Sequence, residues 1–351
     1  MTTSIFVFMI IKCGHYIGGG VIITSSGYPT SDPLFRCIPD NSELSMLCKD
    51  FGLGDLIINH GDLGGLFNVN LKIETTKGLY VIRVTSGLSS EQHIKYTQRV
   101  ISALQIAKIP VLAPLPNLKG NYYSKYKERF VQITPYIHAQ PFESTVAHIK
   151  ASGRILRKMH DALIHFESGS LPEWSNYPST EILTEGLTLL QDICKVPDGQ
   201  LSRVKQLYER IMREWDDKNE ELPSTIIHGD WHVWNSLHDS DGEIIVVMDF
   251  DSFQRAERIH DIAYMLWVIL PDRQSNYLGK AFLQGYGVIS QAEKNLLPVA
   301  IARASLFFLC TASFTPDPAQ ELVRQLENQE PFIEWLLSAD GRSEVKGLFG
   351  C

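Results

Sequence analysis

From Val69 to Thr75 the chain alternates apolar and polar residues, and after Lys77-Gly78 a second run, Leu79-Tyr-Val-Ile-Arg-Val84, follows. A period of two, interrupted by a glycine where a positive φ is expected, predicts a β-hairpin with its turn at Lys77-Gly78. With a two-residue loop, Lys72 and Arg83 project from the same face. Ser89-Ser-Glu-Gln92 has the form of a capping box. Ile94, Val100, Ile101, Leu104 and Ala107 then fall on one helical stripe, which Pro110 ends. Arg129 to Thr134 predicts a further strand, broken by Pro135. Beyond this point the period lengthens to that of helices. One helix is predicted from about Ser144 to Phe166, with Val146, Ile149, Leu156, Met159 and Leu163 inward, and two more precede Pro223. Thr225 to Ile227 and Glu243 to Met248 predict short strands, the second entered through an Asp241-Gly242 turn. Helices resume from Ile259 to Leu270. The pattern predicts an α+β chain: an N-terminal antiparallel sheet with one helix, then a larger, mainly helical part with small strands where the two meet.

A chain of 351 residues is long enough for two lobes with separate cores, divided on this pattern near residue 135. With 44% hydrophobic and 21% charged residues, it has the composition of a soluble globular protein. The net charge of −8 argues against nucleic acid as a partner and permits a cationic small molecule. The six cysteines are scattered without CxxC spacing or a histidine cluster, which predicts reduced thiols in a cytoplasmic protein. The apolar run Ile5 to Ile11 is too short to span a bilayer and has no basic segment before it, so no membrane role is expected. A buried or edge strand, or a loosely held extension, fits it better. The glycine and serine clusters that follow read as loop, and residues 1–40 have no role legible in the sequence. A homodimer is compatible with all of this.

Chemistry enters at His228-Gly-Asp230-Trp-His232-Val-Trp-Asn235, followed by Met248-Asp249-Phe-Asp251. Asp230, Asn235 and Asp249 put two carboxylates and a carboxamide beside predicted strand ends. Asn235 and Asp249 offer hard oxygen ligands of the kind that suit Mg²⁺, with phosphate and water completing its shell. Asp230 would accept or orient the proton of an attacking hydroxyl. Phosphoryl transfer asks mainly for positioning and charge neutralisation, which such a set supplies. His228 and Asp261 are expected to support the loop. Gly64 and Gly65, with Asn68, precede the hairpin, where backbone N–H groups can approach phosphate. Arg83 is the leading cation for the phosphates, with Lys72 in reserve. Trp231, His232 and Trp234 either wall an acceptor site, where an aromatic face attracts a cation, or pack the loop. Asp251 is a further acceptor-site candidate.

The stretch His228 to Asn235 resembles the catalytic loop of the aminoglycoside phosphotransferase and choline kinase superfamily. Asp249-Phe-Asp251 through Asp261-Ile-Ala resembles that superfamily's metal site and following helix, and Leu156-Arg-Lys-Met-His160 its LxxLH helix. Phe67-Asn68-Val-Asn70, Gly78-Leu-Tyr80-Val-Ile and Ile109-Pro-Val-Leu-Ala-Pro-Leu-Pro116 look most like the homoserine-kinase-like branch. The resemblance runs from about residue 41 onwards. It implies a bilobal protein-kinase-like fold: residues 41–135 as a nucleotide-binding lobe, residues 136–351 as a catalytic and acceptor-binding lobe. It makes Asp230 the catalytic base and Asn235 and Asp249 the Mg²⁺ ligands. Gln132, Thr134 and Tyr136 then belong to the hinge beside the adenine of ATP (or GTP). Two departures stand out: Arg83 occupies the usual lysine position, and no acidic partner stands at its usual place on the following helix, where Glu91 is early and Gln98 neutral. The implied activity is phosphorylation of a hydroxyl on a small, amine-bearing molecule such as an antibiotic or an amino alcohol. A homoserine-type metabolic kinase and a non-catalytic nucleotide-binding scaffold are the alternatives. A glycosyltransferase using Asp249-Phe-Asp251 would leave His228 to Asn235 unexplained. A protein kinase would need an activation segment longer than the twelve positions between Asp249 and Asp261.

Overall fold

The computed structural model describes residues 36–350, apart from 66, 141, 193–195, 217–221 and 316. The apolar run Ile5 to Ile11 therefore lies outside the described residues. The hairpin forms as strands β2 (Val69–Thr75) and β3 (Gly78–Val84). Its turn sits one residue earlier than expected. Thr75 pairs with Gly78, so Thr76-Lys77 is the loop, fixed by the Thr75 hydroxyl accepting from the Lys77 amide at 3.1 Å. Asn70 stands opposite Arg83 and Lys72 opposite Val81, which places Lys72 and Arg83 on one face as expected. Strands β1 (Leu56–Asp62), β4 (Ser124–Tyr126) and β5 (Arg129–Pro135) complete an antiparallel sheet in the order β1-β2-β3-β5-β4.

The other face of this sheet carries Val69, Leu71, Ile73, Ile82, Val84, Val131 and Ile133, all buried. Each contributes about 1.5–3 kcal/mol relative to exposure. A helix absent from the sequence reading, α1 (Asn41–Asp50), covers them with Leu44, Leu47 and Cys48. It begins in a true capping box, Asp40 with Glu43.

The predicted box at Ser89 does not form. Helix α2 (Glu91–Ile106) is capped by Ser90, which puts Gln92 one position too early to close the box and His93 where the closing side chain would be. Ile94, Val100, Ile101 and Leu104 are buried as expected, whereas Ala107 is the exposed C-cap residue. Most of the buried face of α2 belongs to the larger core, not to the sheet's: Tyr96, Val100, Ile101 and Leu104 pack there.

That larger core is built on helices α3 (Val146–Leu163), α4 (Thr180–Asp192), α5 (Asp198–Asp216), α6 (Ile259–Ile269), α7 (Asn276–Tyr286), α8 (Gln291–Thr311), α9 (Pro318–Leu337) and α10 (Ala339–Gly347). In α3, Ile149, Leu156, Met159 and Leu163 face inward, but Val146, the first residue after the Thr145 cap, is 48% exposed. Two small antiparallel pairs lie among the helices: β6 (Ser224–Ile227) with β9 (Gln254–Glu257), and β7 (Ser236–His238) with β8 (Ile244–Val247). By length and composition the segment Gln291–Phe314 could cross a membrane, but its apolar stretch is almost wholly buried, so here it serves as a core helix. Of the six cysteines, Cys37, Cys48 and Cys310 are described, and all three are free thiols.

Helices α3 and α7 cross at backbone distance. A Cβ at Gly153 would stand 2.2 Å from the Phe282 carbonyl oxygen, and one at Gly285 would stand 2.1 Å from that of Lys150. Backbone cannot yield as a side-chain tip can, so Gly153→Val should force the helices apart. A loss of about 3 kcal/mol or more is expected, read as a drop in the urea midpoint. A drop under about 0.5 kcal/mol would show that the crossing is loose.

Candidate active site

The loop after β6 is held from beneath by one carboxylate. Asp261, fully buried in the first turn of α6, accepts from the His228 amide at 2.7 Å and the Gly229 amide at 2.9 Å. Its Oδ2 also meets His160 Nε2 at 2.9 Å, and His160 Nδ1 meets the Tyr286 hydroxyl at 2.8 Å. Burial pushes the Asp261 pKa up, but the His160 hydrogen bond and the neighbouring His260 and His228 outweigh it and leave it below the usual range. The His228 ring is buried among Trp231, Phe250 and Phe253, and its Nε2 lies 3.1 Å from the Met248 carbonyl. Burial keeps that ring's pKa low despite Asp261 and Asp230.

Asp230 emerges from this support with both carboxylate oxygens engaged. Oδ1 accepts from Asn176 Nδ2 at 2.8 Å and Oδ2 from Asn235 Nδ2 at 3.0 Å. His232 Nε2 stands 3.5 Å away. Burial raises the Asp230 pKa, but His232, His228 and the Asn176 amide lower it further, well below the carboxylate range. In return Asp230, joined by Asp249, lifts the His232 pKa against the effect of burial. Asn235 ends a 3₁₀ turn, Val233–Asn235, and its carbonyl accepts from the Met248 amide at 2.9 Å. That bond ties the two halves of the predicted metal stretch together.

Asp249 follows β8 with φ at 64°, a left-handed backbone that costs a non-glycine residue of order 1 kcal/mol. Its side chain is 45% open to the cleft. Enclosure raises its pKa; Arg83 opposes this, but Asp251 and Asp230 add to the rise. Arg83 Nη2 donates to Asp249 Oδ1 at 2.9 Å and to Asp251 Oδ2 at 2.6 Å. The partner missing from α2 is thus replaced from the Asp249–Asp251 stretch. Glu91 turns away to the Tyr123 hydroxyl, at 2.6 Å, and to Lys95 and Lys125, while Gln98 is buried with its Nε2 unpartnered.

Asp251 lines the cleft beside Asp230 and Asp249. It gathers the N-terminal elements: beside Arg83 it accepts from Asn68 Nδ2 at 2.9 Å, and its carbonyl lies 2.6 Å from His93 Nε2. Trp231 leaves the acceptor group. It is 2% exposed and donates to the Ser152 hydroxyl at 3.0 Å, because the loop needs an anchor in the helical core. Trp234 is half-buried and packs beside His232, 5.3 Å between rings. The Gly64-Gly65 loop has positive φ at both residues, but the Gly64 amide is already engaged by Asp62 Oδ1 at 2.9 Å, and Arg36 holds the Gly65 and Asn68 carbonyls. Gln132, opposite Arg83 in register, lines the same cleft as Asp230 and Asp249. Thr134 and Tyr136 continue along that strand face away from it, with Lys72 Nζ 4.0 Å above the Tyr136 ring.

Several lining residues carried no signal in the sequence. Asn176, Trp174 and Glu173 come from an aperiodic Pro-flanked loop, and His93 from the start of α2, yet all line this cleft with Asp230, Asp249 and Asp251. Among the described residues no three His, Cys, Asp or Glu side chains close up to hold an ion unaided. Asn235 and Asp249 can supply two protein oxygens to a cation whose other ligands come from phosphate and water. The fit rests on the charge imbalance: four cleft carboxylates meet a single guanidinium.

Residues 61–298 match the model of the phosphotransferase enzyme family. Among curated proteins, a homoserine kinase of Rhodopseudomonas palustris (strain BisB5) is 24% identical over 296 residues, 80% of this chain and 87% of that protein. One from Neisseria meningitidis serogroup B (strain MC58) is 27% identical over 270 residues, 74% and 84% respectively. Among solved structures, a microcompartment-associated aminopropanol kinase superposes with a TM-score of 0.68 at 16% identity, covering 86% of this chain and 99% of its own. An amicoumacin kinase in complex with AMP-PNP, Ca²⁺ and Ami does so at 0.62 and 15%, covering 89% and 94%. The fold is the protein-kinase-like one the sequence motifs implied.

Proposed function

Since the chain belongs to the phosphotransferase enzyme family and is a small-molecule kinase with a hydroxyl acceptor, we propose that it transfers the terminal phosphoryl group of ATP to a hydroxyl of a small, amine-bearing molecule. In this reading residues 41–135 form the nucleotide-binding lobe and residues 136–351 the catalytic and acceptor-binding lobe, working in the cytoplasm. The observation that carries it is the joining of Asp230 to Asn235 at 3.0 Å, with Asp249 in the same cleft.

Mg²⁺ held at Asn235 and Asp249 would neutralise phosphate charge and fix the transferring group. Asp230 orients the acceptor hydroxyl. Its lowered pKa keeps it ionised and makes it a weak base. That suits a loose transition state, in which the proton leaves late and alignment dominates. Arg83 can turn a guanidinium N–H toward phosphate while staying near Asp251.

The reading is tested by Mg²⁺-dependent ADP release with a panel of amine-bearing alcohols. Asp249→Asn should raise the Mg²⁺ concentration for half-maximal rate at least tenfold, since it removes an anionic ligand and keeps the shape. An unchanged Mg²⁺ profile would remove Asp249 from the metal site.

A further inference from the structure

Resting on the kinase reading, we infer that the acceptor is an alcohol bearing an ammonium group and no carboxylate, and that Glu173 and Trp174 hold that ammonium. The loop carrying them is fixed at Asp230 itself, because Asn176 two positions on donates to Asp230 Oδ1 at 2.8 Å. Pro172, Glu173, Trp174 and Asn176 all line the cleft that Asp230 and Asp249 enter. The Trp174 ring is braced by Phe307 at 6.1 Å and Phe314 at 6.0 Å, with Phe67 at 6.5 Å. A braced ring offers a fixed face to a cation. Among the described residues no ion pair engages Glu173. Thr97 lines the same space, and its buried hydroxyl has no hydrogen-bond partner.

Charge decides between acceptor classes. Four carboxylates, Glu173, Asp230, Asp249 and Asp251, line this cleft, and among its described lining residues there is no lysine or arginine. Arg83 behind them is already taken by Asp249 and Asp251. Bound nucleotide adds more negative charge than one divalent cation removes. A hydroxy amino acid would bring its carboxylate into this field without a partner, whereas an amino alcohol brings only the favoured charge. The acceptor class thus differs from what the name homoserine kinase, carried by its relatives, indicates for them.

The test compares 3-amino-1-propanol with L-homoserine as acceptors under saturating Mg²⁺ and ATP. The amino alcohol is expected to have a kcat/KM at least 30-fold higher. Glu173→Gln should raise its KM about tenfold while kcat and the KM for ATP hold, and Trp174→Phe should retain more affinity than Trp174→Ala. Equal or better use of L-homoserine, or an unchanged KM in Glu173→Gln, would overturn the inference. If neither compound is turned over, calorimetric titration of 3-amino-1-propanol in the presence of Mg²⁺ and a non-hydrolysable ATP analogue still decides it. Binding that is lost in Glu173→Gln sustains the ammonium site, whereas it is the absence of ADP release across the whole acceptor panel that would sink the kinase reading. No binding to the unaltered protein overturns the inference.

Discussion

Asp230→Asn is expected to lower kcat by about 10³–10⁴-fold, with the KM for ATP changed less than threefold. The substitution keeps the shape and one oxygen, so the Asn176 or the Asn235 bond can persist on that side. It removes the negative charge that draws the hydroxyl proton, and it places an N–H where an acceptor is needed. The His232 pKa, held up by Asp230, should fall in the same variant, because its nearest counter-charge is gone. Single-turnover kinetics and a histidine NMR titration together check this. A variant that keeps a tenth of wild-type kcat would show that alignment of the hydroxyl is achieved elsewhere.

Asp261→Ala should be the most destabilising of the site substitutions, by about 3–5 kcal/mol. It leaves two buried amides and His160 without their acceptor, at a place where the carboxylate has no exposure at all. The pH dependence follows from the sign of the shift. The folded-state pKa of Asp261 lies below its unfolded value. Its contribution is therefore complete above the ordinary carboxylate range and declines as the pH falls through the folded value. Stability measured by denaturant titration should drop in acid, and Asp261→Asn should flatten that drop. An unaltered acid slope in Asp261→Asn would place the sensitivity at other carboxylates.

The juxtaposition of Asp230 and Asn235 could be read from sequence because the two are close in the chain. Asp230 and Asn235 are five residues apart, and the local 3₁₀ turn brings them together with little help from the rest of the fold. The hairpin was legible for a similar reason: a period of two with a glycine needs only local geometry. Partners that meet through tertiary packing left no such mark. Arg83 finds Asp251 across 168 positions and Asn176 finds Asp230 across 54. Neither spacing can be computed from periodicity. Trp231 could be read either as an acceptor wall or as loop packing, and only its buried partner on α3, the Ser152 hydroxyl, decides for packing. Strand β1 escaped because Ile57 and Ile58 lie exposed on an edge, so its pattern does not alternate.

The backbone at Asp249 restricts what this position can become. Glycine, asparagine and aspartate are the residues that enter a left-handed turn at least cost, and of these aspartate alone carries a charge. The simplest departure that respects the turn is therefore to asparagine, which would leave the chain folded along the same path while weakening the cation site proposed there. On the proposed metal role, loss of activity and loss of architecture are uncoupled at this residue, so a silent descendant of this enzyme could keep its shape long after it stopped turning over.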